Sequence, residues 1–263
     1  MSERHEHRLD IDGAVATITF ERAAAYNAMT RKLLLALQET LRETARDPAV
    51  RALVITGAGK AFCAGQALDD AETISLNGRT DLYNAVVDGF NPVINALITM
   101  DKPVVAAVNG VAAGAGFGIA LACDFRIVAD TATFTTAFAK IGLVPDSGVS
   151  LLLPRIIGYA RALELCMLSG KVDAPAAQAL GLATELVPAA DVVTRAQAFA
   201  GQLAAGPRAL GLIKRELVRN ALGDIAAALT YEAEMQCIAG ETADAREGIA
   251  AFAQKRKPQF TGL

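Results

Sequence analysis

PVVAAVNGVAAGAGFGIALACD, residues 103–124, is the stretch whose reading decides the fold. PVVAAV is an apolar run of buried-strand length, and Asn109-Gly110 ends it with a turn signal. AGAGFGIALAC then reads as a helix fronted by glycines, and 124–129 as a further strand. The uncharged run is long enough to mimic a membrane span. A strand, a turn and a helix account better for Pro103, Asn109 and the glycines, so no membrane role is expected.

The same order occurs upstream. RALVIT (51–56) reads as a buried strand, and GAGKAFCAGQAL (57–68) as a glycine-punctuated loop. Ala61, Ala64 and Gly65 are small enough to let a ligand approach the backbone closely, with N–H groups pointed outward. In the second loop, 109–124, the strand runs into a Gly/Ala turn at a helix N-terminus. There, unpaired N–H groups and the helix dipole favour negative charge. Taken singly, each loop reads more readily as tight packing. Two such amide sources aimed at one point would form an oxyanion hole.

Farther out, 8–11 and 14–20 read as strands joined at Asp12-Gly13. Thr30 caps a helix running to Arg46, with Leu33, Leu37, Leu41 and Ala45 on one face. The segment 81–100 reads as helical, with Pro92 interrupting or opening a segment. Segments 191–205, 208–222 and 224–239 are apolar at helical spacing, with Pro207 and Gly223 between them. The order of strand, loop, helix and strand predicts an α/β core wound from ββα units rather than an alternating doubly wound sheet. The expected division is a core over 1–190 and a C-terminal helical region over 191–263, read as an oligomer interface in preference to core cover.

At 263 residues, 53% hydrophobic and 20% charged, the chain can bury a core without disulfide or metal staples. A net charge of -3 argues against a nucleic-acid partner. It leaves an anionic ligand open, because backbone N–H groups bind phosphate even on an acidic protein. Cys63, Cys123, Cys166 and Cys237 are scattered, which fits a reducing cytoplasm and no zinc. Cys63 reads as a buried small residue. The only histidines, His5 and His7, read as a solvated strand edge or frayed end, so no metal site is expected. No histidine base exists in the body of the chain, which leaves carboxylates, tyrosines, lysines or water for proton transfer. The first ten residues are polar and charged, so no signal peptide is expected.

Together, AFCAGQ, AAVNGVAAGAG and the C-terminal REGIAAFAQKRKPQFTG (246–262) resemble the enoyl-CoA hydratase/isomerase (crotonase) family. The resemblance covers essentially the whole chain. It implies an α/β crotonase-like spiral of ββα repeats with a C-terminal helical trimerisation region, assembled as a homotrimer or dimer of trimers. The implied substrate is an acyl-CoA thioester, with coenzyme A part of the substrate and no permanently bound cofactor. The implied hole donors are the N–H groups of Gln66 and Ala115, the latter standing where family glycine is common. For the CoA end, the resemblance points to Arg22, Ala24, Ala64, Gln66 and Leu68; Lys255 and Lys257 read equally as phosphate partners in a neighbouring subunit and as a solvated basic tail. The acyl pocket is expected in 76–97, where Tyr83 and Phe90 are wall candidates and equally core candidates.

The reaction turns on carboxylates. The family's two hydratase glutamates would fall at Gly118 and Phe138, and both are missing. Asp146, in KIGLVPDSGVSLLLPR, reads alone as a turn residue or helix N-cap. The resemblance to the family's isomerases gives it the role of a single proton-shuttling base. The strings also resemble the ring-1,2-epoxyphenylacetyl-CoA isomerases of phenylacetate degradation. There is one departure: Ala67 replaces an acid after the oxyanion Gln, and Asp69 and Asp70 do not fill that position. The expected function is an acyl-CoA isomerase acting through a stabilised enolate. The alternatives are an enoyl-CoA hydratase or other lyase, and a non-catalytic CoA-binding or scaffold protein.

Overall fold

The computed structural model describes residues 6–68, 70 and 82–261. Strands β1 (His7–Asp12) and β2 (Val15–Phe20) form the expected hairpin, with Asp12 opposite Val15. His7 is not a solvated end. It is buried, with Nε2 2.8 Å from Thr40 Oγ1; His5 lies outside the described residues. Thr30 Oγ1 accepts from Leu33 N at 3.0 Å and starts helix α1 (Arg31–Arg46). Leu33, Leu37 and Leu41 are buried, but the stripe ends on Thr44 and leaves Ala45 exposed. A period of 3.6 residues brings the i+3 position onto the face at that point.

The chain then repeats one move. Strand β3 (Ala52–Gly57) leads into β4 (Ala61–Cys63), β5 (Val104–Val108) into β6 (Val111–Ala113), and β7 (Phe125–Ala129) into β8 (Thr133–Thr135). The longer strands join a six-stranded sheet of order β1-β2-β3-β5-β7-β10, where β10 is Glu185–Val187. The short ones join a second sheet, β4-β6-β8-β9, where β9 is Val172–Asp173. From β2 onward the pairs of the first sheet are parallel, as are β4·β6 and β6·β8. Each turn of the chain lays one strand in each sheet, which is the ββα spiral.

Helix α2 (Leu82–Asn84) passes through a π-helical turn, Ala85–Phe90, into α3 (Asn91–Thr99). Pro92 falls in the first turn of α3, just past the π-helical turn, and the carbonyls of Asp88 and Gly89 behind it accept from Gln38 Nε2. Helix α4 (Ala115–Ala122) is buried over all eight residues, which explains its lack of any polar face. The remaining helices are α5 (Val149–Ile157), α6 (Tyr159–Leu168), α7 (Ala174–Ala179), α8 (Val192–Ala204), α9 (Ala209–Leu222), α10 (Ile225–Gly240) and α11 (Ala243–Ala253). Helix α4 packs against α3, α5, β4 and β6. Helix α8 lies on β2, β3, β5 and β7, while α10 lies on α2, α3 and α5. Among the described residues no helix is long and apolar enough to cross a membrane.

Candidate active site

Two asparagines lace the loops of the site together. Asn109 Nδ2 donates to the carbonyls of Gly57, Gly59 and Ala61 at 2.7, 3.1 and 3.2 Å, and its Oδ1 accepts from Gly57 N. Asn27, fully buried, donates to Ala58 O and Ala61 O and accepts from Arg22 N. The segment carrying Arg22 and Ala24 is thereby fastened to the first small-residue loop, and that loop to the second. Arg22 itself pairs with Glu6 at 3.2 Å and donates to Ala28 O.

The first loop meets the end of the Arg22 segment in a single parallel bridge, Met29 to Gln66. Met29 N donates to Gly65 O, and Ala67 N donates to Met29 O. Alternation along an extended chain turns the N–H of Gln66, between them, to the opposite side. Gly65 has φ +92, and a Cβ on it would lie 3.0 Å from Ala113 O and 3.2 Å from Ala115 N. The first loop therefore packs directly on the start of α4. Ala115 opens that helix, so its N–H has no partner one turn back. Among the described residues no acceptor takes the N–H of Gln66 or of Ala115. The positive φ falls on Gly114, at +52, and not on Ala115, so alanine is tolerated there.

Asp146 lies on the neighbouring turn. It is 4% exposed, and both carboxylate oxygens are engaged: Ser147 Oγ donates to Oδ1 at 2.8 Å and Gln236 Nε2 to Oδ2 at 2.6 Å. Burial pushes its carboxyl up to about 6, against the lowering effect of those two bonds. Ser147 backs onto Gly118, one turn along α4 from Ala115. The side chain of Asp146 does not cap α5. Glu232 of α10 does so instead, accepting from Gly148 N at 2.7 Å, Ser150 N at 2.9 Å and Ser150 Oγ at 2.6 Å. Burial pushes Glu232 up to about 7, its three bonds oppose this, and the nearby Asp146 charge adds to it.

The other positions separate clearly. Ala64 N donates to Tyr26 O at 3.0 Å, so Ala64 sits with Arg22, Ala24 and Gln66, while Leu68 is half-buried at the end of the loop. Lys255 and Lys257 are exposed beyond α11, and no contact among the described residues brings them to this patch. Phe90 is fully buried in the hydrophobic core, while Tyr83 is 36% exposed. The part of the acyl-pocket segment over 76–81 lies outside the described residues, as does Asp69. Asp70 Oδ2 accepts from Arg31 N at the start of α1, and Ala67 is buried. Cys63 is a buried thiol that burial pushes up to about 12, too high for a nucleophile. Among the described residues no group of three His, Cys, Asp or Glu side chains is arranged to hold a metal ion.

Asn27, Glu232 and Gln236 escaped the sequence reading. A signal for the last two was present. Ile225, Leu229, Glu232, Ala233 and Gln236 form the buried stripe of α10, so two polar residues stand on an apolar face.

A two-sheet spiral of ββα units, with two small-residue loops meeting beside a buried carboxylate, defines a crotonase-type α/β protein. The chain belongs to the enoyl-CoA hydratase/isomerase family, whose sequence profile matches residues 10–263. It is 40% identical over 253 residues to the 1,2-epoxyphenylacetyl-CoA isomerase of Escherichia coli (strain K12), covering 96% of this chain and 97% of that one. It is also 40% identical over 259 residues to a protein of Rhodobacter capsulatus named a probable enoyl-CoA hydratase, covering 98% of each. Among solved structures, an enoyl-CoA hydratase of Mycobacterium avium subsp. paratuberculosis K-10 superposes with a TM-score of 0.88 at 31% identity, over 97% of this chain and 98% of that one. Membership brings with it CoA-thioester chemistry of the hydratase or isomerase type.

Proposed function

We propose that this chain is an acyl-CoA isomerase in which the N–H groups of Gln66 and Ala115 stabilise a thioester enolate and Asp146 shuttles the proton. In this reading, ionised Asp146 removes a proton from one carbon of the acyl chain, and the C–H electrons flow to the thioester oxygen as a dienolate. The same carboxyl returns that proton to another carbon, so the double bond migrates and nothing is gained or lost. Fixed donors aimed at the oxygen act on the charge that develops in the transition state. The observation that carries the reading is the buried Asp146 carboxylate on the turn packed against α4, with glycine and phenylalanine at the two hydratase positions. A carboxyl raised toward neutrality is also a better base near pH 7. The E. coli relative's name suggests an arene-epoxide CoA thioester as one substrate class.

Hydration is the second reading, favoured by the names of the Rhodobacter relative and the Mycobacterium structure. It needs a water-activating group other than the two missing glutamates. A mass-spectrometric screen of CoA esters in deuterated water separates the two. Isomerisation gives products of unchanged composition, with deuterium only where the shuttled proton exchanges. Addition of water to crotonyl-CoA in preference to double-bond migration in a 3-enoyl-CoA would overturn the isomerase reading.

The CoA end is assigned to the patch of Arg22, Ala24, Ala64, Gln66 and Leu68, with Lys257 reaching phosphates across a subunit boundary. Exposed apolar side chains on α6 (Tyr159, Met167, Leu168) and α9 (Leu212, Leu217) support a homotrimer or dimer of trimers. Light scattering that returned a monomer would overturn the assembly. Four free thiols support a reducing, cytoplasmic location.

A further inference from the structure

We propose that Gln236 is a positioning residue, holding the carboxylate of Asp146 from helix α10 through Oδ2 so that Oδ1, bonded only by the rotatable Ser147 hydroxyl, can meet substrate. The proposal rests on Asp146 being the base. Gln236 is 2% exposed and spans two partners: its Oε1 accepts from Val144 N at 3.2 Å, and its Nε2 donates to Asp146 Oδ2 at 2.6 Å. Its orientation is not arbitrary. A backbone N–H can only donate, so the amide oxygen must face Val144 and the amide nitrogen must face Asp146. Ser147, the other partner of Asp146, is a rotatable hydroxyl adjacent in sequence and cannot fix the carboxyl plane alone. Gln236 ties the residues on either side of Pro145 to one rigid helix, and its neighbour one turn back, Glu232, anchors Gly148 and Ser150. The turn over 144–150 is therefore gripped from α10 at both ends.

Few other charges reach this point. Helices α3 and α4 carry no ionisable side chain, and the Arg155 guanidinium of α5 donates to carbonyls of Leu151, Ala221 and Leu222. Tyr83, Asp88, Lys140, Tyr231, Glu234 and Arg246 are exposed. On α11, Asp244 accepts from Thr261 and Glu247 pairs with Arg256. Glu232 is the nearby ionisable group; its charge reaches half-buried Cys166, and half-buried Cys237 follows Gln236 in α10.

The test is Gln236→Glu. This variant keeps the shape and the acceptor for Val144 N but sets a second carboxyl against Asp146, so that the two share a proton. For double-bond migration of a 3-enoyl-CoA, kcat at pH 7 should fall at least tenfold with KM changed less than twofold. The acidic limb of kcat/KM should move up by one pH unit or more, a shift that a merely structural role would not cause. Gln236→Met, which keeps volume and removes the donor, should lower kcat similarly. A 13C-carboxyl NMR titration of Asp146 gives a readout without turnover and should shift upward in Gln236→Glu. Wild-type kcat and limb in the variants, or an unmoved Asp146 titration, overturns the proposal. Asp146→Asn at wild-type turnover would sink the base assignment instead, and the NMR titration would still decide whether Gln236 holds the carboxyl.

Discussion

The backbone of Ser147 occupies the space that a side chain on Gly118 would need. A Cβ there would overlap the Ser147 carbonyl oxygen and sit 2.8 Å from the Ser147 Cβ. The position at which the resemblance puts a hydratase glutamate is closed as well as vacant. Gly118→Glu should not create a hydratase, and Gly118→Ala should cost about 1–3 kcal/mol by overpacking while displacing Asp146. Urea unfolding and crotonyl-CoA hydration assays check both. A Gly118→Glu protein of wild-type stability that adds water would refute the steric argument.

Removing the proposed base has a defined kinetic signature. Asp146→Asn keeps the shape of the turn and should lower isomerisation by about 10²–10⁴-fold. In the wild type, kcat/KM should rise as pH increases through about 6, where Asp146 ionises. A flat profile from pH 5 to 8 would contradict this.

The same substitution should stabilise the fold at high pH. The native carboxyl of Asp146 is raised above its ordinary 3.8, to about 6. Between these values the native state binds more protons than the unfolded one, so stability falls as pH rises across that window. An asparagine can turn its oxygen to Gln236 and its NH2 to the Ser147 hydroxyl, and it carries no buried charge. Asp146→Asn should exceed the wild type by up to about 3 kcal/mol at pH 8, with the advantage gone below pH 4. Denaturant titrations at the two pH values decide it.

Glu232→Ala leaves the buried N–H of Gly148 without an acceptor and removes the cap from the N–H of the exposed Ser150. The orphaned Gly148 donor alone costs about 1–3 kcal/mol, so thermal stability should drop. Glu232→Gln retains one acceptor oxygen and should lose less. Equal losses in the two variants would mean that the helix cap does not depend on these bonds.

Gly65→Ala forces a methyl into left-handed backbone and toward Ala113 O and Ala115 N. It should cost about 1–2 kcal/mol in strain. It should also lower kcat/KM by about 10²-fold or more, the scale of a lost oxyanion donor. Unchanged kinetics would separate the two loops from catalysis.

The strands at PVVAAV and RALVIT, and the cap at Thr30, were legible because each depends on local pattern. Strands β4 and β6 were not: three residues of Ala, Val, Phe or Cys carry no period, and only pairing across the second sheet makes them strands. Asp146 reads alone as a turn residue or cap, and only the family resemblance singles it out. Its partners were not legible: Gln236 stands out as polar on an apolar helix face, but nothing local says that it meets a residue 90 positions away. His7 was misread because terminal position suggests fraying, whereas Thr40 on α1 covers it. Pairings this distant in sequence arise from tertiary packing, which no local rule encodes.

The turn bearing Asp146 is fastened by a helix that leaves the ribosome only after every strand of both sheets. A nascent chain that has released the whole spiral core still lacks the clamp on its carboxylate. In the proposed mechanism, competence therefore waits for this helix to dock, and a fragment ending before it should be inert.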